Sequence, residues 1–444
     1  MLCKNIRIFR IGFITFVNLH RIAAMKFLYS LAIEAYSIIL KIIAPINLRA
    51  REWVYGRDNL LRTIEEKVAP GEKRIWFHCA SLGEFEQGRP LIETYRKVNP
   101  DVKIVLTFFS PSGYNIRKDY PGADYVFYLP ADTPLNVKRF LDAIDPVAAV
   151  FIKYEFWYHY LELLHRRDIP TILVSAIFRP EQHFFKWYGG FFREMLRFYD
   201  HFFVQDQASA DLLNSIGLTN ITISGDTRFD RVAEVVSKSE PIAATGQFAG
   251  GDRVLVGGST WPPDEEMIAR YARENKGRLK FMIAPHEVDE DNIERIMKLF
   301  GGDAVRLSEY DFEKKCSCNI LIIDRIGILS SVYRHAHLCL IGGGFGKGIH
   351  NTLEAAAWGK PVLFGPNYTR FREALGLISV GGARSFNTYE QFAGFVYNWL
   401  EDKADYNSAS TACKNYISDN EGATRIIIDH LVKHQTFRLS VPLS

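Results

Sequence analysis

The sequence predicts an α/β protein of two Rossmann-like domains facing a cleft, with an N-terminal membrane-anchoring helix before them. Two series of short apolar runs alternate with amphipathic, helix-length stretches, and a segment rich in Ser, Pro, Ala and Gly separates the series. Such alternation is typical of parallel sheets covered by helices. The anchor is predicted by an apolar N-terminal stretch close to the ~20 residues that a helix needs to cross a bilayer.

Composition and charge exclude several other classes of protein. The chain has 444 residues, of which 48% are hydrophobic, 14% aromatic and 24% charged, so it is neither disordered nor collagen-like nor a coiled coil. Its net charge of +3 is too small for a protein that holds nucleic acid along its length. Residues 1–62 carry +7, which leaves −4 for the remainder. The amino-terminal end therefore suits an anionic membrane surface.

Residues 25–48 form the predicted membrane anchor helix. Glu34 and Lys41 are seven residues apart, nearly two helical turns, so their side chains share one face. These two charges favour an anchor that is embedded or tilted in the membrane, and a simple helix buried in the protein is the alternative. Apolar side chains cover much of the remaining surface: Leu28, Leu31, Ile38, Ile39, Ile42 and Ile43.

Basic residues follow the anchor, and a short extension precedes it. Arg49, Arg51, Arg57 and Arg62 place the following domains in the cytoplasm by the positive-inside rule. Residues 1–24 begin with basic side chains and contain an apolar run, but they lack a convincing cleavage site. We expect this segment to be an N-terminal extension without function, such as a misassigned start produces, and a secretory signal is the weaker alternative.

The rest of the chain is divided into a first domain at 49–235, a linker at 236–252 and a second domain at 253–444. The linker is the Ser-, Pro-, Ala- and Gly-rich segment. Ligands of such folds bind at the carboxyl ends of strands, so functional residues are expected directly after each apolar run. The runs are RIWFHCA, VKIVLTFF, AAVFIKY, TILVSAI, HFFVQD and ITISGD, and then RVLVGGS, KFMIAPH, NILIID, LCLIGGG and PVLFGP.

Two glutamates follow predicted strands of the first domain. Glu84 lies where the chain after RIWFHCA turns into a helix, and backbone amides and the helix dipole favour an ionised carboxylate there. It is a candidate general base, with helix capping as the alternative. Glu155 directly follows AAVFIKY and adds a second acid to the same sheet edge, again with capping as the alternative.

The strongest local signal in the second domain is a glycine-rich loop. The buried run LCLI opens into five glycines before a helix that is predicted to begin near His350. Backbone amides and a helix N-terminus suit an anion, so the loop predicts phosphate binding, although it matches neither a Walker A motif nor a dinucleotide fingerprint. Glu354, one turn into that helix, is either an acceptor for ribose hydroxyls or a solvated glutamate. The glycines are Gly342, Gly343, Gly344, Gly346 and Gly348.

Three further residues fall at strand ends of the second domain. Ser259 follows RVLVGG, His286 ends KFMIAPH, and Asp324 ends NILIID. With the glycine loop they are expected to ring one pocket. A lone histidine is usually structural, so His286 is a candidate only because of this shared location.

Residues 183–203 hold ten aromatic side chains, several of them at helical spacing. Core packing is the default explanation. Because Lys186, Arg193 and Arg197 interleave with the rings, a surface that touches lipid or a lipid-linked substrate is the alternative.

Six cysteines stand at positions 3, 79, 316, 318, 339 and 413. They indicate neither a disulfide framework nor paired CxxC zinc ligands, which fits a reducing compartment. Cys316 and Cys318 are expected to be unreactive thiols in a loop.

Eight sequence blocks between Met25 and the carboxyl end stand in one order. They are EWVYGRDNLL with the anchor before it, HCASLGEFEQGRPLI, IKYEFWYHYL, LVSAIFRP, SGDTRFD, GGSTWPPDEE, IDRIGIL, and the glycine loop with HNTLEAAAWGKPVLFGP. In this order they resemble the Kdo transferases, glycosyltransferases that move 3-deoxy-D-manno-octulosonic acid (Kdo) from CMP-Kdo onto the lipid A precursor.

The resemblance implies a GT-B fold whose carboxyl-terminal domain binds the donor nucleotide. It implies that Glu84 is the general base and Glu155 a second essential acid. It further implies CMP-Kdo, the lipid A precursor and inner-membrane lipid as partners, no nucleic acid, no metal and no other cofactor. The residues implied on the donor side are Arg228, Ser259, His286, Asp324, Gly343, Gly344, His350, Asn351 and Glu354.

One departure from the family affects the phosphate contacts. Where the family commonly has Pro-Arg-His, this chain has Ala284-Pro285-His286, which removes a cation that would help the leaving phosphate.

The resulting hypothesis is an inverting glycosyltransferase of lipopolysaccharide core biosynthesis. It is expected at the inner (cytoplasmic) membrane, with its catalytic domains on the cytoplasmic side. The alternatives are another nucleotide-sugar enzyme of the same plan, such as an epimerase, and a non-catalytic membrane-attached carbohydrate-binding protein.

Overall fold

A computed structural model describes residues 2–311 and 318–433 of the chain. The chain forms two compact units, Met1–Thr227 with Gly422–Ser444, and Arg228–Glu421. Each unit is built around one parallel sheet of seven strands. The two Rossmann-like halves that the alternating pattern predicts are therefore present.

The first unit contains a sheet with the strand order β3-β2-β1-β4-β5-β6-β7. Its strands are β1 (Arg74–Cys79), β2 (Lys103–Phe108), β3 (Tyr125–Tyr128), β4 (Pro146–Ile152), β5 (Thr171–Ala176), β6 (His201–Val204) and β7 (Ile221–Ile223). Its helices up to β7 are α1 (Leu2–Ile43), α2 (Leu48–Tyr55), α3 (Leu60–Lys67), α4 (Leu82–Val98), α5 (Pro111–Arg117), α6 (Pro134–Ile144), α7 (Tyr158–Arg166), α8 (Gly190–Arg197) and α9 (Gln207–Ser215).

Strand β1 shows why the apolar runs become central strands. All six of its residues are buried, and successive side chains point to opposite faces of the sheet. Ile75 and Phe77 pack in the hydrophobic cluster on one face, whereas Trp76 packs in the cluster on the other. A strand that is covered on both faces has to be apolar throughout, as RIWFHC nearly is.

The second unit contains a sheet with the strand order β10-β11-β9-β8-β12-β13-β14. Its strands are β8 (Val254–Thr260), β9 (Lys280–Pro285), β10 (Ala304–Arg306), β11 (Ile320–Ile322), β12 (Leu338–Ile341), β13 (Val362–Phe364) and β14 (Ala383–Ser385). Its helices are α10 (Thr227–Lys238), α11 (Ala243–Ala249), α12 (Pro262–Glu274), α13 (Glu290–Phe300), α14 (Leu329–Val332), α15 (Leu353–Ala357), α16 (Arg372–Ser379), α17 (Tyr389–Glu401) and α18 (Lys403–Ser418).

The segment predicted as a linker belongs to the second unit. Residues 236–252 contain the end of α10 and all of α11. Ala244, Phe248 and Ala249 of α11 are buried in the main hydrophobic cluster of this unit. The small and polar residues of the segment suggested a solvated connection, but three apolar side chains at helical spacing are enough to dock a short helix.

The carboxyl-terminal end returns to the first unit. Helix α19 (Ala423–Lys433) packs on α4, and Ile427, Ile428 and Leu431 are buried with the residues of β1 and β2. Residues 253–444 were all predicted to belong to the second domain. The sequence of an amphipathic helix does not show which sheet the helix covers, so the position of α19 could not be predicted.

Helix α1 joins the predicted extension and the predicted anchor into one helix. Within it, Ile22–Ile43 is long and apolar enough to cross a membrane, by length and composition. Glu34 and Lys41 line the same cavity of about 790 Å³, which agrees with their predicted shared face. The apolar side chains that are more than half exposed on this segment are Phe27, Leu28, Leu31, Ile38, Ile39 and Ile42.

The opposite side of α1 makes polar contacts with the rest of the first unit. Lys26 forms an ion pair with Glu162 of α7, with the charged atoms 2.6 Å apart. The Tyr29 hydroxyl donates a hydrogen bond of 2.6 Å to the buried carboxylate of Asp132, and burial raises the pKa of Asp132 to about 7. The helix therefore carries a docked face and an apolar exposed face.

The aromatic stretch 183–203 packs mostly in the core, as the default explanation predicts. Phe191 and Phe202 are buried, and Phe192 and Phe198 pack against the main cluster, whereas Trp187 is 88% exposed. Cys318, expected as a free thiol, is disulfide-bonded, and Cys316 lies outside the described residues.

Candidate active site at two sheet edges

The carboxyl ends of the central strands of the first unit gather the predicted acids. Strand β1 lies between β2 and β4, and all three run parallel. Glu84 follows β1, and Glu155 follows β4. The parallel order therefore brings both carboxylates to one edge of the sheet.

Glu84 occupies the first turn of α4, as predicted. Ser81 is the N-cap of this helix and accepts a hydrogen bond of 3.2 Å from the Gly83 amide. The Ser81 hydroxyl in turn donates to the Glu84 carboxylate, which is half-buried. Glu84 stands three residues after the N-cap Ser81 and contacts its side chain, as in a capping box, so its geometry fits both helix capping and the predicted role of general base.

Helix α4 is held in place by the block SGDTRFD. The Thr227 hydroxyl donates a hydrogen bond of 2.6 Å to the backbone carbonyl of Gln87, one turn after Glu84. The Gln87 amide group donates to the buried carboxylate of Asp226, 3.4 Å away. Asp226 and Thr227 therefore position the helix that carries Glu84, a role that their sequence spacing did not reveal.

Glu155 is a buried residue and is not a helix cap. Its carboxylate accepts a hydrogen bond of 2.5 Å from the Trp157 indole nitrogen, and the nearest oxygen lies 3.0 Å from Nε2 of His78. Both Glu155 and His78 are almost fully excluded from solvent. Trp157 is the N-cap of α7, and Asp132 accepts from two amides of that helix, so the capping alternative for Glu155 is wrong.

The acidic side chains at this edge affect a buried thiol at the end of β1. Burial raises the pKa of the Cys79 thiol, and the Glu84 and Glu155 carboxylates add to the increase. The predicted acid-rich edge is thus present in the geometry, although its chemical role stays a prediction.

The second unit brings four strand ends to one edge. Strand β8 lies between β9 and β12, with β11 beyond β9, and the pairs are parallel. Ser259 lies in β8 with a φ of 51°, in the left-handed region that an L-residue rarely adopts. Gly342 follows β12, and a Cβ there would lie 2.3 Å from the Ser259 carbonyl oxygen. The backbones approach so closely that only glycine fits.

The glycine turn is hydrogen-bonded to Asp264, a residue that was not among the candidates predicted from the sequence. Asp264 of α12 accepts hydrogen bonds of 3.0 Å from the amides of Gly343 and Trp261. It is buried, and burial raises its pKa to about 6, against the opposing effect of the two amides. Its position three residues after the N-cap Trp261 was the available signal.

Many amides of the turn are used internally. The amide of Gly342 donates to Gly258, and those of Gly346 and Gly348 donate to Gly343. The Gly344 amide, by contrast, has no hydrogen-bond acceptor within residues 2–311 and 318–433. The helix that was expected to begin near His350 begins at Leu353 and spans five residues, so the predicted helix N-terminus at His350 is wrong.

Two histidines and a tryptophan form a stack at this edge. The ring centroids of Trp261 and His286 are 4.7 Å apart, and those of His286 and His350 are 4.4 Å apart. The Trp261 indole nitrogen donates to Nε2 of His350 over 3.0 Å. Burial, together with the nearby His286, lowers the pKa of His350 to about 4, so His350 is neutral at pH 7.

The other predicted donor-side residues are engaged nearby or elsewhere in the unit. Glu354 accepts from Asn351 over 2.9 Å and from the hydroxyl of Ser330, so it is not a solvated glutamate. Asp324 accepts a hydrogen bond from the Ser308 amide. Arg228 forms a bidentate pair with the buried Glu373.

The described parts of the chain offer no obvious metal site. Residues 2–311 and 318–433 contain no group of three or more His, Cys, Asp or Glu side chains that could hold a metal ion. The expected independence of metal stays a prediction.

Comparisons with known sequences point to one family. The family model Glycos_transf_N, described as 3-Deoxy-D-manno-octulosonic-acid transferase (kdotransferase), matches residues 56–231. Proteins named 3-deoxy-D-manno-octulosonic acid transferase are similar over longer stretches. The Bordetella pertussis protein is 25% identical over 424 residues, which cover 89% of this chain and 98% of that protein. The Rickettsia bellii protein is 26% identical over 380 residues, or 81% of this chain and 87% of its own length.

Solved structures support the fold. UDP-GlcNAc 2-epimerase from Neisseria meningitidis, bound to UDP-GlcNAc, is 16% identical with a TM-score of 0.58, and the match covers 81% of this chain and all of that one. MurG from Acinetobacter baumannii is 10% identical with a TM-score of 0.51, over 81% of this chain and 99% of that one. At these identities the likeness concerns the fold alone, and the predicted GT-B class is confirmed.

Proposed function

We propose that this chain, which is similar over most of its length to 3-deoxy-D-manno-octulosonic acid transferases, transfers Kdo from CMP-Kdo to the lipid A precursor with inversion. The observation that carries the proposal is the Glu84 carboxylate in the first turn of α4. It is half-buried, lies at the end of the central strand, and accepts a hydrogen bond from the N-cap hydroxyl of Ser81.

In the proposed reaction, Glu84 acts as the general base. It removes the proton from a glucosamine hydroxyl of the acceptor as that oxygen forms a bond to the anomeric carbon of Kdo. The bond from this carbon to the phosphate oxygen breaks, and its electron pair leaves with CMP. The proton ends on Glu84, so charge and atoms balance without a redox partner.

The second unit is proposed to hold the CMP group. The unpartnered amide of Gly344 is a suitable donor to a phosphate oxygen, and Asp264 keeps the neighbouring amide of Gly343 in a fixed position. The ring of His350, which its lowered pKa keeps neutral at pH 7, and the ring of His286 offer nitrogens as hydrogen-bonding groups. Asn351, Glu354 and Ser259 are proposed neighbours of the nucleoside. No step of this mechanism requires a metal ion.

Asp324 and Arg228 are less direct candidates for donor contact. The Asp324 carboxylate accepts from Ser308, and Arg228 pairs with Glu373. Each would have to exchange a protein partner for the donor, which costs the interaction that it already makes. We therefore propose that Arg228 acts mainly by holding α16.

The proposed location is the cytoplasmic face of the inner membrane. The apolar exposed side of Ile22–Ile43 supports an anchor. The polar contacts of Lys26 and Tyr29 with the first unit favour a helix that lies in the membrane surface or tilts, because its docked side remains on the protein. Arg49 and Arg51 directly follow and suit an anionic leaflet.

The decisive experiment supplies the full-length protein in detergent with CMP-Kdo and the lipid A precursor. Mass spectrometry of the lipid should find added Kdo, and released CMP should match it in amount. An epimerase would convert a nucleotide sugar without any lipid, and a carbohydrate-binding protein would leave both compounds unchanged. Either of these two results would overturn the proposal.

A further inference from the structure

A row of four aromatic rings runs from helix α1 to the acidic edge of the first sheet. Tyr36 of α1 packs edge-on against Trp53 of α2, with ring centroids 5.8 Å apart. Trp53 packs against Phe109 at 6.0 Å, and Phe109 against Trp157 at 4.9 Å. The row thus connects the segment with the apolar exposed face to the strand ends that carry Glu84 and Glu155.

Strand order explains how the last two rings meet. Phe109 directly follows β2, and Trp157 lies shortly after β4, with β1 between these strands. The rings touch across the end of β1, next to the turn that leads to Glu84. Both are only partly buried, and the Trp157 indole nitrogen is fixed by Glu155. The pair is therefore a pre-organised apolar surface at a polar edge.

A cavity of about 760 Å³ lies along the same row. Tyr36, Leu40 and Ile43 of α1 line one part of it, and Trp53 and Phe109 line another. The indole nitrogen of Trp53 is buried and has no hydrogen-bond partner within the described residues. The cavity combines apolar side chains of α1 with polar and charged groups such as Arg49, Glu52 and Asn115, so it suits a ligand with both apolar and oxygen-bearing parts.

We propose that the Phe109–Trp157 pair is the platform on which the sugar ring of the acceptor packs, with the lipid portion directed along the cavity towards α1. This inference rests on the proposed function and identifies the acceptor subsite in the first unit. The C–H groups on one face of a pyranose carry partial positive charge and pack well on the negative face of an aromatic ring. A sugar held there has its hydroxyls beside Glu84.

Core packing accounts for Phe156 and for one side of Trp157, which both pack against the main cluster of the unit, whereas Phe109 lies outside that cluster. Phe156 precedes Trp157, yet its ring packs against Phe178 and Phe184, with centroids 6.2 and 4.6 Å away. Those two rings are buried in the main cluster of the unit. Phe156 is therefore a matched control: the same residue type, similarly buried, beside the same acid, but turned into the core.

The first test compares Phe109→Leu with Phe156→Leu in the full-length protein. Phe109→Leu should raise the KM for the glycolipid acceptor at least about fivefold, while the KM for CMP-Kdo changes less than about twofold. Phe156→Leu should lower the melting temperature and leave both KM values unchanged. Equal acceptor KM values for the wild type and Phe109→Leu would overturn the inference, as would an equal rise in both variants.

A second test measures binding and does not depend on turnover. Titration of the wild type with the lipid A precursor should change the tryptophan fluorescence, and Trp157→Phe should remove most of this change while far-ultraviolet circular dichroism remains native. An unaltered fluorescence response in Trp157→Phe would refute the platform. If the wild type binds the glycolipid with this signature but transfers no Kdo, the proposed function fails while the subsite stands.

Discussion

The two sheets have the same number of strands, but the polar groups at their carboxyl edges are used differently. At the first edge, the half-buried carboxylate of Glu84 accepts a hydrogen bond from the hydroxyl of Ser81. At the second edge, the buried carboxylate of Asp264 accepts hydrogen bonds from the backbone amides of Gly343 and Trp261. The carboxylate proposed as the general base is therefore half-buried with a hydroxyl partner, whereas the Asp264 carboxylate is held by two backbone amides.

This difference matches the two tasks of a group-transfer enzyme. A general base has to exchange protons with a substrate, so it needs access and only loose ties to the protein. A turn that binds phosphate has to keep its amides in position before the ligand arrives, so its polar groups are tied down in advance. The contrast between Glu84 and Asp264 can be tested by four sets of variants.

The largest effect is expected for Glu84→Gln. The amide cannot accept the proton of the attacking hydroxyl, so kcat should fall by about 10²–10⁴. The affinity for CMP, measured by calorimetry, should remain within about twofold. The free energy of unfolding should change by less than about 0.5 kcal/mol, because no buried group loses a partner.

Glu86→Gln is the matched control for Glu84→Gln. Glu86 lies in the same helix and pairs with Arg117, with the charged atoms 2.9 Å apart. Its loss should leave kcat nearly unchanged. Full activity of Glu84→Gln would remove Glu84 from the mechanism.

Glu155→Gln should affect stability more than Glu84→Gln does. Glu155 is buried, lies 3.0 Å from Nε2 of His78 and accepts from the Trp157 indole nitrogen, and weakening the contacts of a buried polar group costs about 1–3 kcal/mol. Urea unfolding monitored by circular dichroism measures this loss. A variant as stable as the wild type would show that the His78 contact contributes little.

Asp264→Ala should weaken nucleotide binding and lower stability by about 1–3 kcal/mol, because the amides of Gly343 and Trp261 lose their acceptor. The pKa of Asp264 is raised from 3.8 to about 6 in the folded protein. The folded state therefore binds the proton of Asp264 more tightly than the unfolded state does. The stability gained from this tighter proton binding is complete below about pH 4 and is lost as pH rises through about 6.

The pH dependence provides a separate check on Asp264. The difference in unfolding free energy between the wild type and Asp264→Ala should be largest near pH 4 and shrink towards pH 7.5. Urea titrations at several pH values measure it. A difference that grows with pH would contradict the raised pKa.

The smallest effect is expected for Arg228→Ala, which removes the bidentate pair with Glu373 at the second edge. Because Glu373 is buried, stability should fall by about 1–2 kcal/mol. The comparison variant is Arg62→Ala, whose pair with Glu66 is exposed and worth less than about 0.5 kcal/mol. Equal losses in thermal unfolding would show that Glu373 is effectively solvated.

Prediction from sequence succeeded where a local pattern had a single structural solution. The long apolar runs became central strands, since only a sheet covered on both faces buries so many consecutive apolar residues. Strands β3, β10 and β14 at the ends of the sheets were missed, and β10 and β14 contain polar residues, AVR and ARS, that interrupt an apolar run. Glu84 was found because the end of a strand and the start of a helix are both readable in the sequence.

The site was less predictable where the partner of a residue is distant in sequence. The sequence around Glu155 does not indicate that His78 is buried beside it. Likewise, the sequence around Gly343 does not indicate that the Gly343 amide donates a hydrogen bond to Asp264. The helix start near His350 was misplaced because Asn351 and Thr352 remain outside the helix, and the Asn351 side chain accepts from the Leu353 amide.

The order of apolar runs, glycines and acids along the chain by itself determined the α/β class, the two halves, the apolar first helix and the resemblance to a transferase family. Periodicity and turn chemistry are local properties, so they can be read without coordinates. Only the tertiary structure decided which carboxylate is available and which is buried, that the last helix returns to the first sheet, and that four rings align between α1 and Glu155. These properties depend on burial and on contacts between distant residues, which only the folded chain creates.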